Sequence, residues 1–231
     1  MVNELDELAR LYSTDKRTND PGQIIYHDYT PIYYELFKYH KEDFTDFLEL
    51  GIWTGSSHKM WNDFFKNARI YGVDNFSGIW KLYTEQNPQL NQVEINKMLS
   101  DKIDELENLG ITVICCDQTD KEGLDDSFFD IKFDTVIDDG GHGSWQHQKS
   151  FDILWDKVKS GGYYIIEDLA VCLMREFREF DDVRSATTNW IESMRTNEPF
   201  SFYMDQERLF QIQREIESIQ SIGQLAIIKK L

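Results

Sequence analysis

Short apolar segments alternate with helical segments along most of this chain, and this alternation constrains its fold more than any other feature. Strands are predicted at residues 45–50, 69–73, 111–115, 133–137 and 163–166. Helices are predicted at residues 56–66, 93–109, 144–158 and 183–195. Strands separated by helices usually form a parallel sheet covered on both faces, so the pattern predicts an α/β fold. Residues 215–229 predict two more strands around a turn, which would add an antiparallel hairpin at an edge of the sheet.

The first 43 residues precede this alternating region. Leucines at helical spacing between Leu5 and Leu11 predict a short first helix, and a polar, turn-rich stretch follows it. Thr30 is predicted to be the N-cap of a second helix, with Pro31 at the first helical position. A chain of 231 residues suits one sizeable α/β domain, and we predict a single domain.

The charge balance of the chain argues against several classes of partner. It contains 42 acidic and 24 basic residues, for a formal net charge of −18. Such a surface repels phosphate backbones and anionic membranes, so neither nucleic acid nor membrane is expected as a partner. The N-terminus lacks the apolar core of a signal peptide, and no window approaches the ~20 apolar residues of a membrane span. Two of the three cysteines are adjacent and no CxxC spacing occurs, which favours a reducing, cytoplasmic setting.

Acidic residues stand at or near the ends of the predicted strands. They are Glu49, Asp74, Asp117, Asp138, Asp139, Glu167 and Asp168. Ligands of parallel α/β sheets bind beyond the carboxyl ends of the strands, where these side chains would gather. Their mutual repulsion would destabilise the fold unless a cation or hydrogen-bond donors compensate. The pattern therefore predicts a binding site at this edge of the sheet.

The first predicted strand runs into a glycine-containing turn and then a helix. Gly51 and Gly55 allow a sharp bend and close approach to a ligand. Asp74, about 20 residues further on, is placed to bind ribose hydroxyls. Trp53 replaces the second glycine of the dinucleotide fingerprint, and the Glu49 carboxylate would repel a pyrophosphate. We therefore predict a cofactor with adenosine but no phosphate, such as S-adenosylmethionine; in the alternative reading the glycines only shape a turn.

Asp117 and Gln118 follow the third predicted strand. Their side chains are suitably placed to hydrogen-bond an adenine edge, which makes them further candidates for cofactor binding. In the alternative interpretation, Asp117 and Gln118 do not bind a ligand but supply the N-cap of a helix that starts near Asp120.

Two acidic motifs end consecutive predicted strands and should be neighbours in space. Asp139, Glu167 and Asp168 offer three oxygen ligands, which suit a hard cation such as Mg²⁺ or Mn²⁺. His142 lies close by, on a loop that contains glycines. A histidine near such an ion can remove the proton from a hydroxyl group. Alternatively, Asp168 caps a following helix. His147 is a competing base, but it falls inside a predicted helix and is expected to be structural.

Several motifs together resemble the class I methyltransferases of the macrocin and mycinamicin sugar O-methyltransferase type. The resemblance covers roughly residues 8 to 170, and its most specific parts are the D-D-G-x-H and I-E-D-L motifs. The motifs are Thr14-Asp15-Lys16, His27-Asp28-Tyr29-Thr30, Leu48-Glu49-Leu50-Gly51, Val136-Ile137-Asp138-Asp139-Gly140-Gly141-His142 and Gly161-Gly162-Tyr163-Tyr164-Ile165-Ile166-Glu167-Asp168-Leu169.

The resemblance implies a Rossmann-like, seven-stranded methyltransferase sheet that binds S-adenosylmethionine. It implies a divalent ion (Mg²⁺, or Mn²⁺ or Ca²⁺ in its place) held by Asp139, Glu167 and Asp168, with His142 as general base and Asp139 counted with it as catalytic. Residues 1–43 would form a helical lid over the cofactor and residues 44–231 the core. The cofactor contacts expected on this basis are Thr14, Lys16, Tyr29, Glu49, Gly51, Gly55, Asp74, Asp117, Gln118 and Asp138.

The acceptor expected from the resemblance is a hydroxyl of a sugar or glycan, such as a rhamnose-like deoxysugar. An aromatic content of 14% is compatible with stacking on sugar rings. The alternatives are methylation of a catechol or other phenol, a nicotinamide-dependent oxidoreductase, which Trp53 disfavours, and a non-catalytic cofactor-binding subunit. Known family members carry a large additional N-terminal domain that has no counterpart in this sequence, so their oligomeric assembly and acceptor do not transfer directly. We expect the chain to be a homo-oligomer or a module of a larger glycan-synthesis polypeptide.

Overall fold

The computed structural model describes residues 2–177 and 183–231. The α-helices are α1 (Glu4–Leu11), α2 (Thr30–Phe37), α3 (Ser56–Phe64), α4 (Ser77–Gln86), α5 (Gln92–Asn108), α6 (Lys121–Ser127), α7 (Ser144–Trp155), α8 (Thr187–Ser193) and α9 (Gln206–Glu215). The strands are β1 (Asp46–Leu50), β2 (Arg69–Asp74), β3 (Thr112–Cys115), β4 (Phe133–Asp138), β5 (Val158–Ile166), β6 (Ile216–Ile222) and β7 (Leu225–Lys230). Short 3₁₀ helices occupy Val171–Leu173, Arg175–Phe177 and Val183–Ser185.

The strands form one seven-stranded sheet in the order β3-β2-β1-β4-β5-β7-β6. Strand β2 is parallel to β3, and β4 is parallel to β5. The C-terminal hairpin is antiparallel, with β7 between β5 and β6. This topology confirms the predicted α/β, Rossmann-like sheet with an antiparallel hairpin at one edge.

The chain divides into two compact units. Residues 1–47 and 52–115 form the first unit, and residues 48–51 and 116–231 form the second.

The first unit has an aromatic core built on α2 and α3. Tyr33 and Phe37, one helical turn apart on α2, are fully buried. Their rings lie 5.3 and 6.1 Å from the ring of Trp61 on α3, and Phe37 also contacts Phe65 at 5.6 Å. Edge-to-face contacts of this kind add to the burial of large rings. The aromatic face of α2 therefore contributes to this core.

The second unit packs α7 and α8 around Phe151. The Phe151 ring lies 4.9 Å from Tyr164 on β5 and 5.0 Å from both Trp155 and Trp190. All four side chains are at most 1% exposed. Apolar residues of β4, including Val136 and Ile137, are buried completely, as expected for a strand covered on both faces.

Helices α4 and α9 were not predicted from the sequence, and α6 was named only in the alternative interpretation of Asp117 and Gln118. On α4, Ile79, Leu82 and Tyr83 stand at helical spacing, but this apolar pattern is short and only Ile79 is buried. Helix α9 buries only Leu209 and Ile212, and its clearest signal is the cap at Asp205, whose carboxylate accepts a hydrogen bond from Arg208 N at 2.8 Å. Between residues 183 and 195 the predicted single helix is a 3₁₀ turn followed by the shorter α8.

The predicted N-cap of α2 was wrong by one residue. Tyr29 is the cap and Thr30 is the first helical residue. The Thr30 hydroxyl donates instead to Asp6 Oδ1 at 2.7 Å, a partner on α1 that local sequence cannot indicate. No helix in the described part of the chain has the length and apolar character needed to cross a membrane.

Candidate metal and cofactor site

The end of β1 packs closely against the loop that follows β4. Asp139 N donates to Leu50 O at 3.1 Å. Gly51 has φ +90°, and a Cβ at this position would lie 2.1 Å from Asp139 O. No L-residue fits that space, so Gly51 allows the Asp139 backbone to approach β1. The sequence predicted that Gly51 would allow close approach to a ligand. Within the second unit, the group that approaches Gly51 is the backbone of Asp139.

Asp138 faces the interior of the second unit. Its carboxylate accepts hydrogen bonds from Gln118 Nε2 at 3.0 Å, from Tyr164 OH at 3.0 Å and from the Ser150 hydroxyl. Burial and then the Asp138 charge raise the pKa of Tyr164 well above its usual value, so the phenol stays protonated and donates. These contacts anchor the end of β4 in the core. The cofactor contact expected for Asp138 stays a prediction.

Gln118 connects Asp138 to the loop of residues 139–142. Its Oε1 accepts from Gly141 N at 2.5 Å while its Nε2 donates to Asp138. A Cβ on Gly140 would lie 2.3 Å from Gln118 Oε1, so the loop closes directly onto this side chain. Both ends of the amide are therefore engaged within the protein, and Gln118 shapes the loop. Its expected contact with adenine stays a prediction.

Asp117 and Asp120 are both engaged locally. Asp117 Oδ1 accepts from the backbone and hydroxyl of Thr119 at 2.9 and 2.7 Å. Asp120 is the N-cap of α6 and accepts from Gly123 N at 3.2 Å. The alternative interpretation assigned the cap of this helix to Asp117 and Gln118, but the cap is Asp120, three residues beyond Asp117. The expected adenine contact of Asp117 stays a prediction.

The second unit gathers acidic side chains beyond the ends of β1, β4 and β5. Ligand atoms of Asp139, His142 and Asp168 all lie within 4.8 Å of one another, and so do those of Glu49, Asp139 and Glu167. Asp139 belongs to both groups. Glu49 and Glu167 are fully buried and Asp168 is 9% exposed. The sequence predicted Asp139, Glu167 and Asp168 as neighbours, but it assigned Glu49 to the cofactor; its strand-end position was the available signal for this cluster.

Asp168 occupies a strained backbone conformation directly after β5. Its φ is +55°, in the left-handed region that costs free energy for residues other than glycine. Glu167 N donates to Asp138 O at 3.0 Å and Leu169 N to Gln224 O at 3.1 Å, which fixes the chain on either side. The surrounding backbone thereby holds Asp168 near Asp139.

His142 presents one ring nitrogen to the acidic cluster. Its Nε2 lies 3.8 Å from Asp168 Oδ2, and the side chain is 27% exposed. Its Nδ1 is buried and has no hydrogen-bond partner among residues 2–177 and 183–231. A neutral imidazole carries a proton on one nitrogen and a lone pair on the other, so this orientation suits a base that acts through Nε2.

In the first unit, Asp74 organises the loop between β1 and α3. Its Oδ2 accepts from Ile52 N at 2.9 Å and from Trp53 N at 3.0 Å, and its Oδ1 accepts from Phe76 N at 2.6 Å. A carboxylate has about four lone-pair sites, so Asp74 retains capacity for another donor. The predicted contact with ribose hydroxyls stays a prediction.

The remaining expected cofactor residues of the first unit have structural surroundings of their own. Gly55 has φ +76° at the start of α3, and a Cβ there would lie 2.6 Å from Leu106 on α5. Thr14, Lys16 and Tyr29 are buried, at 4%, 1% and 2% exposure. Lys16 O accepts hydrogen bonds from Tyr29 N and Thr30 N, each at 3.0 Å. The segment before α2 is therefore folded against its own unit, and its role as a lid stays a prediction.

The acidic cluster fits a hard divalent ion. Its members offer carboxylate oxygens and an imidazole, without a thiolate, which is the donor chemistry of Mg²⁺ or Mn²⁺ rather than of a zinc–cysteine site. Buried carboxylates that face one another repel, and a cation between them offsets that repulsion. The residues present therefore match the ion that the motifs imply.

Comparison with known proteins supports the same family. No protein-family model matches the sequence. The chain is 32% identical over 174 residues to demethylmacrocin O-methyltransferase of Streptomyces fradiae, and 31% identical over 174 residues to mycinamicin VI 2''-O-methyltransferase of Micromonospora griseorubida. Each alignment covers 72% of this chain and 36% of the relative, so the chain spans about a third of the length of these curated relatives.

The fold is also shared with a solved methyltransferase. The MycE methyltransferase of the mycinamycin biosynthetic pathway, solved in complex with Mg and SAH, matches with a TM-score of 0.71 at 24% identity; the match covers 100% of this chain and 54% of that one. The chain belongs to the class I methyltransferase family. In this class I methyltransferase, the acidic cluster and His142 lie beyond the ends of β1, β4 and β5.

Proposed function

We propose that this chain is an S-adenosylmethionine-dependent, divalent-metal-assisted O-methyltransferase that acts on a hydroxyl of a sugar or glycan. The observation that carries the proposal is the cluster of Asp139, Asp168 and His142, whose ligand atoms lie within 4.8 Å of one another. The similarity to mycinamicin VI 2''-O-methyltransferase and demethylmacrocin O-methyltransferase supports the choice of acceptor class.

The chemical difficulty is that an aliphatic hydroxyl holds its proton tightly. Bound S-adenosylmethionine would supply an electrophilic methyl group, and a bound Mg²⁺ would stabilise negative charge on the hydroxyl oxygen. Asp139, Glu167 and Asp168 would hold the ion. His142 would accept the hydroxyl proton at Nε2, the nitrogen that faces Asp168. Transfer of the methyl group to the hydroxyl oxygen would leave the electron pair of the broken carbon–sulfur bond on the sulfur of the cofactor.

The other residues of the proposed site orient the loop that carries Asp139 and His142 and bind the cofactor. Gln118 and Asp138 hold the loop that carries Asp139 and His142, through the hydrogen bonds described above. We assign residues 1–43 to a segment that covers the cofactor and residues 44–231 to the core. The proposed cofactor contacts are Thr14, Lys16, Tyr29, Glu49, Gly51, Gly55, Asp74, Asp117, Gln118 and Asp138.

The acceptor is proposed to be a small molecule or glycan that carries a sugar hydroxyl, with the cytoplasm as the place of reaction. Relatives named for methylation of macrolide and rhamnosyl substrates support this class. Because the chain spans about a third of the length of its curated relatives, we also propose that it acts as a homo-oligomer or as a module of a larger polypeptide. Mn²⁺ or Ca²⁺ could take the place of Mg²⁺ on the same oxygen ligands.

A methyl-transfer assay tests the proposal. S-adenosylmethionine labelled in its methyl group is incubated with the protein, Mg²⁺ and panels of rhamnosides, nucleotide sugars, glycans and catechols. Label is expected in a sugar acceptor, and EDTA is expected to stop the transfer. Transfer to catechols alone would replace the sugar assignment with a phenol one, and full activity in EDTA would contradict the metal role.

Replacement of His142 tests the proposed base separately. We expect His142→Ala to lower kcat by about 10²- to 10⁴-fold, because the proton acceptor is lost. Calorimetry should show unchanged S-adenosylmethionine affinity. His40→Ala is the control, since it removes an imidazole that stacks on Phe44 in the first unit. Loss of cofactor binding in His142→Ala, or retention of full activity, would show that His142 is not the base.

A further inference from the structure

Two buried imidazole nitrogens in the second unit have no hydrogen-bond partner among the residues that the structure describes. They are His142 Nδ1 and His147 Nε2. The two rings are neighbours, with centroids 6.4 Å apart and an interplanar angle of 65°. Buried polar atoms are almost always satisfied, by protein or by ordered water. Two such atoms on adjacent rings therefore call for a shared explanation.

The distance between the two rings decides between a direct hydrogen bond and a bridge through a water molecule. A direct N–H···N hydrogen bond of about 2.9 Å would bring the two centroids to within roughly 5.2 Å of each other. The observed 6.4 Å exceeds this distance, so the two rings do not hydrogen-bond directly, and it matches a separation that one bridging water molecule would span. A buried water needs at least two polar partners, and the two ring nitrogens provide them.

The other nitrogen of His147 is already engaged. His147 Nδ1 lies 2.9 Å from Thr187 Oγ1, and Thr187 N donates to Ser144 Oγ at 3.2 Å. His147, Thr187 and Ser144 are all fully buried. This network ties α7 to the start of α8 and fixes the orientation of the His147 ring.

His147 is also held in its neutral form. Burial is the main cause that lowers its pKa, and the nearby charge of Asp138 offsets this only in part. A neutral imidazole has one donor and one acceptor. The contact with Thr187 Oγ1 suits either direction of donation. When the His147 proton lies on Nδ1 and is donated to Thr187 Oγ1, Nε2 is left as an acceptor.

We propose that His147 is a positioning residue for His142, to which it is joined by a buried water between His142 Nδ1 and His147 Nε2. The water accepts the hydrogen bond of His142 Nδ1–H and donates to His147 Nε2. This arrangement places the His142 proton on Nδ1 and leaves the lone pair on Nε2, the nitrogen 3.8 Å from Asp168 Oδ2. The catalytic significance of this tautomer rests on the proposed function; the tautomer itself does not.

The direct test is the tautomer of His142 in protein labelled with ¹⁵N-histidine. Two-bond ¹H–¹⁵N correlation spectra, recorded without metal or cofactor at a pH where the ring is neutral, identify which nitrogen carries the proton. The wild-type protein is expected to show the Nδ1–H form. His147→Leu removes the acceptor and is expected to move His142 towards the Nε2–H form. An unchanged tautomer in folded His147→Leu would overturn the proposal.

A conservative variant guards against a purely structural effect. The side chain of His147→Gln can place an oxygen acceptor near the position of Nε2, so we expect it to restore the Nδ1–H form of His142. If His147→Leu does not fold, Thr187→Val provides the second variant: it frees His147 Nδ1 and should shift the His142 tautomer in part. If His142 of the wild-type protein carries its proton on Nε2, that result alone contradicts the proposal.

Activity gives the second readout once an acceptor is known. His147→Leu is expected to lower kcat by about 10- to 100-fold, as loss of outer-sphere partners does elsewhere, with KM for S-adenosylmethionine unchanged. His147→Gln should recover most of kcat. A tautomer that responds to His147 in a protein without methyl-transfer activity would refute the proposed function but support the positioning role. A normal kcat in His147→Leu would overturn the positioning role.

Discussion

At the scale of single residues, the site depends on which way neighbouring side chains face. Asp138 and Asp139 are adjacent, yet Asp138 turns into the core towards Ser150 and Tyr164, while Asp139 joins the acidic cluster. Successive residues of a strand point to opposite sides, so this division follows from the end of β4. The sequence indicated the pair as acidic strand-end residues, and only the partners of each in the fold distinguish their roles.

Gly51 is the residue whose replacement most directly tests the packing of this site. A Cβ at Gly51 would meet the Asp139 carbonyl, so we expect Gly51→Ala to lower the free energy of unfolding by several kcal/mol and to displace Asp139. Gly110→Ala is the matched control, because Gly110 has a similar φ of +85° with nothing within 4 Å of its Cβ position.

The Gly110→Ala control distinguishes a steric clash of the added Cβ from the free-energy cost of a left-handed backbone. Gly110→Ala should cost about 1–2 kcal/mol, the ordinary penalty for a left-handed alanine. Urea denaturation measures both variants. Equal destabilisation of the two proteins would mean that Gly51 contributes only its backbone conformation and not space for Asp139.

At the scale of elements, the N-terminal helices are joined by one buried carboxylate. Asp6 on α1 accepts hydrogen bonds from Thr18 N at 2.6 Å, Thr30 Oγ1 at 2.7 Å and Arg10 Nε at 2.9 Å. It therefore ties α1, the following loop and α2 together. Leucine spacing predicted α1, but nothing local in the sequence indicates a carboxylate shared by three segments.

Asp6 predicts a specific dependence of stability on pH. Burial raises its pKa, but hydrogen bonds from Thr18, Thr30 and Arg10 outweigh this effect, and the pKa lies below the ordinary 3.8. The stability that ionised Asp6 contributes is therefore fully present above pH 3.8 and is lost as the pH falls through the lower folded-state pKa. Asp6→Asn should cost about 2 kcal/mol near pH 7.

Urea denaturation of the wild-type protein and Asp6→Asn between pH 7 and strongly acidic pH checks this prediction. The difference in unfolding free energy should shrink as the pH falls below 3.8. Asp101→Asn, an exposed variant paired with Lys97 on α5, should show little difference at any pH. A difference for Asp6→Asn that is independent of pH would contradict the account.

The elements themselves were predictable in proportion to their periodicity. Strands β1 to β4 and the hairpin of β6 and β7 follow apolar runs, and the sequence located each within one or two residues. Strand β5 begins five residues before its predicted start, at Val158, and α7 ends at Trp155, three residues before the end of the predicted helix. Helix α5 was predicted from the helical period along its 17 residues, and the structure adds the cap at Asn91. Helices α4, α6 and α9 bury one or two side chains each, as α5 does, but they are shorter, with 10, 7 and 10 residues.

At the scale of the whole molecule, alternating strands and helices determine a sheet, and the sheet determines where its acidic ends gather. That reasoning predicted the fold before any coordinates. Of the three predicted metal ligands, Asp139 shares one group with Asp168 and another with Glu167, and the joint ligation of an ion by all three stays a prediction. The same reasoning missed Glu49 as a member of the cluster and the engagement of Gln118 with the 139–142 loop. Both depend on the packing of β1 and the 117–118 segment against β4, which spacing along the chain does not encode.

The negative charge of the chain adds to the cost of placing buried carboxylates close together. A protein with a net charge of −18 gains nothing from placing further buried carboxylates together unless a cation or a donor network accompanies them. Hydrogen-bond donors accompany Asp138. Asp139, Glu167 and Asp168 have interactions of their own within the protein, and they also carry oxygens of the kind that bind a divalent ion. The account as a whole therefore depends on cation binding at this cluster.

Mn²⁺ binding, measured by electron paramagnetic resonance of the free ion, tests that claim most directly. The wild-type protein is expected to bind one Mn²⁺ per chain in competition with Mg²⁺, and Asp139→Asn to weaken binding by more than about ten-fold. Asp134→Asn is the control on the same strand, since Asp134 pairs with Lys159 at 2.8 Å, and it should bind as the wild type does. Absence of binding by the wild-type protein, or equal binding by Asp139→Asn, would contradict the account.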